Sequence, residues 1–395
     1  IVSTIVATWI GGHDFMNSLS EAHKNGLNYI WVLVLADLTC ISFVGYIFSA
    51  RMGEFLGKLS IAEAMGGMFG RHVRIITAIC GFIGVAGVIA IQFQVAGKLT
   101  HYAFGIEEKY GIIIAAIIVT SYSALGGIKA VTFTDVIQFI TFSITIPLIA
   151  YFLLHNTETT SYVTESLSNN PLYDYTIVFD FTRPEPMQAL FLFLFLAIPD
   201  FSPTIFQRIS IAKDTLQVRQ SFIVAGLICG FVQAMLCCIG VILFTTHPEL
   251  ESSDVVPYLV AQSAIIVGFK GLILAGVMSM VMSTVDSCIN CSSVLIVHDF
   301  CKSLNIKFFK NELVSTRIVA VLIGTIAVLI SMKEGSILEL LTFSSSFYMP
   351  IVSGPFLMAI FGFRSSTKSV LLGMAAGAIT VFCGHYFESE INPVP

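Results

Sequence analysis

Apolar stretches of about twenty residues recur along nearly the whole chain, and that length is what a helix needs to cross a bilayer. In lipid every backbone N–H and C=O must be satisfied inside the protein, which leaves only helices or a closed barrel. These stretches are too long and too continuous for barrel strands. The composition agrees: 56% of residues are hydrophobic, 11% are charged and the mean hydropathy is +0.87. Charged residues make up about 25% of an ordinary soluble domain, so such a domain is excluded. The expected fold is an all-α, multi-pass integral membrane protein of about eleven transmembrane helices. Their expected spans are 2–22, 28–50, 73–101, 108–125, 129–154, 186–207, 218–246, 268–300, 314–332, 336–361 and 367–387. Segment 255–266 is apolar but short, and fits an interfacial helix in an outer loop.

A net charge of −5 argues against a polyanionic partner, and no basic tract points to nucleic acid. The nine Cys fall in or beside apolar segments and read as small packing residues rather than a disulfide framework. The chain opens at Ile1 already apolar, with His13 and Asp14 inside the first stretch and no basic n-region. That is no signal peptide, and it reads as a cropped start.

Lys and Arg give the orientation, because they concentrate in cytoplasmic loops. With the first helix running outward, the inner side collects Arg51, Lys58, Arg71, Arg74, Arg208, Lys213, Lys302, Lys307, Lys310 and Arg364 among others. The outer side keeps Lys24, Lys98, Lys109, Arg183, Lys270 and Lys333, with acidic loops at 156–185 and 247–257.

Two helices are interrupted. Gly11-Gly12, followed by His13 and Asp14, breaks the first; Pro199 and Pro203, around Asp200 and Ser202, break the sixth. The breaks correspond, and the odd number of helices separating them means the second set enters the membrane from the opposite side. Paired Gly/Pro interruptions in two inverted halves point to a transporter's midplane site. The organisation expected is one transmembrane domain over 1–395: a first inverted repeat at 1–154, a second at 186–361, and a peripheral helix with its tail at 362–395.

Polar residues inside an apolar helix carry the chemistry. Residues 280–299 place Ser283, Thr284, Asp286, Ser287, Asn290, Ser292 and Ser293 in one long apolar segment. An intramembrane carboxylate costs from about 2.5 kcal/mol upward unless it faces a partner, an ion or a wet cavity. Hydroxyls three and four residues apart share a helix face, and such oxygens suit a small hard cation. Asp135 is a second intramembrane acid, close behind the Gly126-Gly127 turn; complementing a helix N-terminus is its other explanation. Asp37 fits either a cavity or a polar contact, Cys288-x-x-Cys291 fits packing, and His298-Asp299 is expected to end the eighth helix at the surface.

Gly126-Gly127, Ala130-Val131, Thr134-Asp135 and Gln138, then Pro203 with Gln207-Arg208, then Ser283-Thr284, Asp286-Ser287 and Asp299 resemble the signature of the sodium:solute symporters. The opening Ala7-Thr-Trp-Ile10-Gly-Gly agrees as well, and the likeness covers nearly the whole chain. The resemblance implies a leucine-transporter-like fold of two inverted five-helix repeats, with the family's N-terminal peripheral helix missing here. It implies a sodium site built from the carbonyls of Ala7, Ile10 and Met280 and the hydroxyls of Ser283 and Thr284. It also places Asp135, with Asp286 nearby, on the inner route by which sodium leaves. The two carboxylates would repel in one cavity unless a cation sat between them. Residues at or near the breaks, namely His13, Asp14, Asp200, Phe201, Ser345, Phe347 and Tyr348, are candidates to line the solute cavity.

The functional expectation is a sodium-coupled symporter of a bacterial inner membrane, with Na+ as coupling ion. It would import a small polar solute by alternating access, with a leaning towards a zwitterion such as proline. The alternative is a transporter-like sensor module fused to or associated with a histidine kinase. An intramembrane enzyme is disfavoured, because no His-Glu zinc motif or nucleophile elbow is present.

Overall fold

The computed structural model describes residues 1–156, 167–168, 170–262, 268–306, 311–333 and 348–391, so the candidates Ser345 and Phe347 lie outside the described residues. Among the described residues the chain is helical and contains no strand. Seven helices there are long and apolar enough to cross a membrane. Three further apolar helices, Pro184–Leu196, Met349–Ile360 and Thr367–Cys383, are shorter.

The first apolar stretch is two helices, α1 (Val2–Trp9) and α2 (Gly12–Asn25). α3 (Leu27–Phe43) continues through a π turn at Val44–Phe48. The short α4 (Ile61–Phe69) is capped by Ser60, whose hydroxyl accepts the Glu63 N–H at 2.9 Å. α5 (Arg71–Phe104) follows. Next come α6 (Glu108–Ile128) and α7 (Ala130–His155), separated only by a kink at Gly127. Gly127 has φ 63° and ψ −176°, a conformation glycine adopts without the Cβ penalty of other residues, and this is the turn the glycine pair predicts. The sixth stretch splits into α8 (Pro184–Leu196) and α9 (Pro203–Ser210). α10 (Thr215–Thr246), the short α11 (Val255–Gln262), α12 (Phe269–Val294), α13 (Glu312–Ser331), α14 (Gly354–Ile360) and α15 (Thr367–Ile391) complete the order. The short α11 sits inside the segment expected to hold an interfacial helix.

Burial divides these helices into two classes. In α5, α10 and α12 the most apolar windows are 61%, 61% and 67% buried; in α3, α6, α7 and α13 the figure is 33%. Helices buried on most sides form the interior, and those buried on one side turn Ile114, Ile117, Phe133, Ile137 and Leu329 outward, as a lipid-facing surface requires. α12, the helix that carries the hydroxyl-rich face, therefore runs through the centre. It packs on α1, α5, α6, α7 and α13.

One expectation fails at its inner end. Asp299 is not a surface residue: it is fully buried, in the π turn Leu295–Cys301 that prolongs α12. Its carboxylate accepts the Ser60 hydroxyl at 2.6 Å and pairs with Arg74 Nη2 at 2.8 Å. The pair ties α12 to α4 and α5. Removing one partner of a buried pair leaves an uncompensated charge, so Arg74→Ala is expected to cost on the order of 3 kcal/mol. Thermal unfolding of the detergent-solubilised protein measures this, and an unchanged melting curve would show the pair to be dispensable.

Candidate functional site

At the first break, three N–H groups abandon the helical pattern. In a continuous helix the Gly11 N–H would donate to the Ala7 carbonyl, and the Asp14 N–H to the Ile10 carbonyl. Instead Gly11 donates to Asp14 Oδ2 at 2.7 Å, and Asp14 donates to the Gly11 carbonyl at 3.1 Å. The Gly12 N–H, which would have gone to Thr8, goes to Gln92 Oε1 on α5 at 2.9 Å. The carbonyls of Ala7, Thr8 and Ile10 thus lose their helical donors. Ile10 itself takes an extended conformation (φ −81°, ψ 101°). Asp14 and His13 hold the break open from the α2 side: Asp14 caps it, and His13 Nδ1 lies 2.7 Å from Gln92 Nε2.

The hydroxyl face of α12 meets this break. A Cβ placed on Gly11 would lie 3.1 Å from Thr284 Oγ1, and Thr8 Oγ1 is 3.2 Å from Ser287 Oγ. Ser283 and Thr284 donate to the Met280 carbonyl at 3.0 and 3.1 Å, which leaves their oxygen lone pairs to face a cation. Ala7, Ile10, Met280 and Ser283 are fully buried and Thr284 is 3% exposed. The break in α1 that holds Ala7 and Ile10 is thus brought against α12 through Gly11 beside Thr284 and Thr8 beside Ser287. Buried neutral oxygens such as the freed Ala7 and Ile10 carbonyls and the two hydroxyls suit an alkali cation because they can replace its hydration shell without burying an anion, whereas the Met280 carbonyl already accepts both hydroxyls.

One turn further along both helices, a charged network adjoins this contact. Asp135 is fully buried on α7; its carboxylate accepts the Thr4 hydroxyl and pairs with Arg208 at 3.2 Å. The same Arg208 nitrogen donates to Thr8 Oγ1 at 2.8 Å and to Ser287 Oγ. Asp286 accepts the Tyr122 and Thr134 hydroxyls, each at 3.2 Å. The positive charge beside Asp135 is therefore part of the protein. Arg208, counted above as a loop charge, is 1% exposed and lies in the interior on the half-helix α9.

The second break spans 197–202. Pro203 opens α9 without an N–H to offer, Asp200 Oδ1 accepts the Ser202 N–H at 2.9 Å, and Phe201 adopts φ 44°. Non-glycine residues rarely hold such a φ, and where they do the surroundings over-determine it. Here Phe201 is fully buried between Phe48 and Phe356, with ring centroids at 5.3 and 5.4 Å. The Tyr348 hydroxyl donates to its carbonyl at 3.0 Å, and the Ser353 hydroxyl to the Asp200 carbonyl. A cavity of about 10 Å³, the size of one water, lies between the two breaks and is lined by Trp9, Cys40, Pro199, Asp200, Phe201 and Phe222 among others. Asp200 and Phe201 therefore meet a shared cavity, whereas His13 and Asp14 are engaged in holding the first break. Asp37 resolves as a polar contact, accepting Trp9 Nε1–H at 3.0 Å.

Sequence reasoning missed Gln92, Thr4, Thr8, Trp9 and Tyr122 as members of this site. Gln92 had a readable signal, an amide in the middle of a long apolar helix. The hydroxyls had none, since Thr and Ser bonded within their own helix are common.

Residues 1–377 match the sodium:solute symporter family. The chain belongs to that family. Its relatives include the sodium/sialic acid symporter NanT of Aliivibrio fischeri, 23% identical over 96% of this chain and 78% of that protein. The sodium/pantothenate symporter of Escherichia coli is 21% identical over 96% of this chain and 80% of its own length. Sodium/proline symporter 2 of Staphylococcus saprophyticus is 23% identical over 95% and 76%. A solved Na+-coupled sialic acid symporter shares the fold, with a TM-score of 0.74 at 16% identity over 96% of this chain and 87% of that one. As a sodium:solute symporter, the protein is a multi-pass membrane protein whose coupling ion is Na+.

Proposed function

We propose that this symporter imports a small polar solute across a bacterial inner membrane by alternating access. Na+ binds between α1 and α12, held by the carbonyls of Ala7 and Ile10 and the hydroxyls of Ser283 and Thr284, with the Met280 carbonyl orienting those hydroxyls and becoming a further ligand only as they turn to the ion. One observation carries this reading: the break strips Ala7 and Ile10 of their helical donors at the point where α1 meets Thr284. Asp135 and Asp286 mark the route by which the ion leaves inward. The solute binds between the two breaks beside Asp200 and Phe201, where the one-water cavity must widen in the transport cycle to admit it, with His13, Asp14 and Tyr348 near its ends. Residues 1–154 and 186–361 act as two inverted repeats that rock about this midplane site. Each charge that enters down 100 mV releases about 2.3 kcal/mol, the work that drives uptake.

A zwitterion such as proline suits a site where Asp200 can meet an ammonium, with Asp14 joining it only if it gives up its cap on Gly11, and half-helix ends a carboxylate; a proline symporter stands among the relatives. The reading as a histidine-kinase sensor module gains nothing from those relatives, which are transporters.

Proteoliposomes test the proposal. Radiolabelled proline, sialic acid, pantothenate, choline and a neutral sugar are offered with and without an inward Na+ gradient. Accumulation of one of them, at least about tenfold greater with the gradient than without, is the expected result, equivalent to about 1.4 kcal/mol of coupling. Equal accumulation in Na+ and in N-methylglucamine chloride would sink Na+ coupling.

A further inference from the structure

We infer that Arg208 is a tethered cation that closes the inner Na+ route, and that Na+ leaves by displacing its guanidinium from oxygens the ion then borrows. The inference rests on the Na+ site proposed above. Three observations support it.

The first is position. Moving from the Na+ site towards the start of α1 leads from Ile10 to Thr8 and Thr4, and moving towards the end of α12 leads from Thr284 to Ser287. A step of three residues is about 4.5 Å of helix. Both paths end at one nitrogen, Arg208 Nη2, which touches Thr8 Oγ1 at 2.8 Å, Asp135 Oδ2 at 3.2 Å and Ser287 Oγ. Oxygens from three helices around a single positive nitrogen reproduce the ligand set of a bound cation.

The second is unfinished bonding. Asp135 Oδ1, Gln138 Oε1 and Arg208 Nε are buried with no hydrogen-bond partner, on side chains 0%, 8% and 1% exposed. Buried polar atoms are normally paired, and orphans cost free energy, so the arrangement is not the one that best satisfies these groups. An incoming cation would give the two orphaned oxygens a partner, and a displaced guanidinium could find a new one for its Nε.

The third is charge. Asp135 pairs with the guanidinium, while Asp286, a second buried carboxyl, is held by the Tyr122 and Thr134 hydroxyls and, among the described residues, has no ion pair of its own. An arriving Na+ thus meets two carboxyl groups beside the place Arg208 holds, and only one of them is paired with the guanidinium. The guanidinium is mounted on α9, the short half-helix beyond the second break, and rotation of that half-helix withdraws it. Solute at the second break and ion release at Asp135 are thereby linked through eight residues of helix.

The test uses ²²Na+ alone, with no solute, on the full chain in proteoliposomes. Wild type is expected to bind ²²Na+ at one saturable class of site and to leak little. Arg208→Gln removes the tethered charge and is expected to raise solute-free ²²Na+ influx about tenfold, with a second class of Na+ binding exposed at Asp135. Arg208→Gln with Asp135→Asn restores charge balance and is expected to keep the leak while losing the second class. Should Arg208→Gln not fold, Thr8→Val and Ser287→Ala each remove one resting contact of the guanidinium and leave the ion pair intact; a leak raised several-fold in both is expected. Solute-free influx at the wild-type level in every variant that folds overturns the inference. If wild type itself binds no ²²Na+, the Na+ site fails and the inference falls with it; wild-type binding with unchanged variant fluxes defeats the inference alone.

Discussion

Thr284→Ala raises the Na+ concentration for half-maximal uptake by about ten- to a hundredfold, while solute uptake at saturating Na+ persists. The size follows from what the methyl takes away. A polar contact to a charged group contributes about 1.5–3 kcal/mol, and each 1.4 kcal/mol is a factor of ten in an equilibrium constant. Ser283→Ala is expected to act in the same direction. The two hydroxyls are not interchangeable, however: the break backbone at Gly11 lies against Thr284 Oγ1 itself. Thr284→Ser keeps the oxygen and is expected to restore near-wild-type Na+ dependence, which separates coordination from packing. The competing role for both hydroxyls is bonding to Met280 one turn back, and loss of such a contact in a membrane averages only about 0.6 kcal/mol. Na+ titrations of uptake that superimpose for wild type and both alanine variants would assign them to that lesser role.

The helices were legible because apolarity over twenty residues has a single solution in lipid, and so was the kink at Gly127, where the residue type dictates the backbone. The positions of both breaks could also be read, since glycine and proline act locally. What a break does with its loosened groups was not legible. Gln92 reaches Gly12 across 80 residues of sequence, and Arg208 reaches Asp135 across 73. Partner choice at that range is decided by how helices pack, and no local pattern encodes it. Arg208 was misplaced for a specific reason. Counting positive charges assumes that an Arg at the end of a span lies in a loop, but α9 is a half-helix that begins at the break, so its last turn is still interior. Asp299 was misplaced by the same assumption, since the π turn after α12 carries it inward to Ser60 and Arg74.

Gly11→Ala is expected to abolish Na+-dependent uptake while the protein still reaches the membrane folded. The backbone there is ordinary, with φ −101° and ψ 174°, so alanine meets no conformational penalty; its only difficulty is space. The added methyl would sit 2.5 Å from Gln92 Nε2, 2.8 Å from His13 Nδ1 and 3.1 Å from Thr284 Oγ1. Two of these neighbours are the movable ends of polar side chains, so the strain is relieved by pushing Gln92 and His13 away rather than by unfolding. Gln92 then releases the Gly12 N–H, and the geometry that frees the Ala7 and Ile10 carbonyls is lost with it. Gly12→Ala provides the contrast. Its methyl would lie 2.4 Å from Val281 Cγ2 and 3.0 Å from Val95 Cγ1, stiff β-branched groups that cannot turn aside. Overpacking of that kind costs about 1–3 kcal/mol, so Gly12→Ala should lower thermal stability, and Gly11→Ala should spare stability and remove function. Gly271→Ala, with nothing within 4 Å of its new methyl, serves as the neutral control for both measurements. Wild-type Na+ dependence in Gly11→Ala would show that the backbone at this break does not shape the ion site, and would leave the hydroxyl face of α12 without its counterpart.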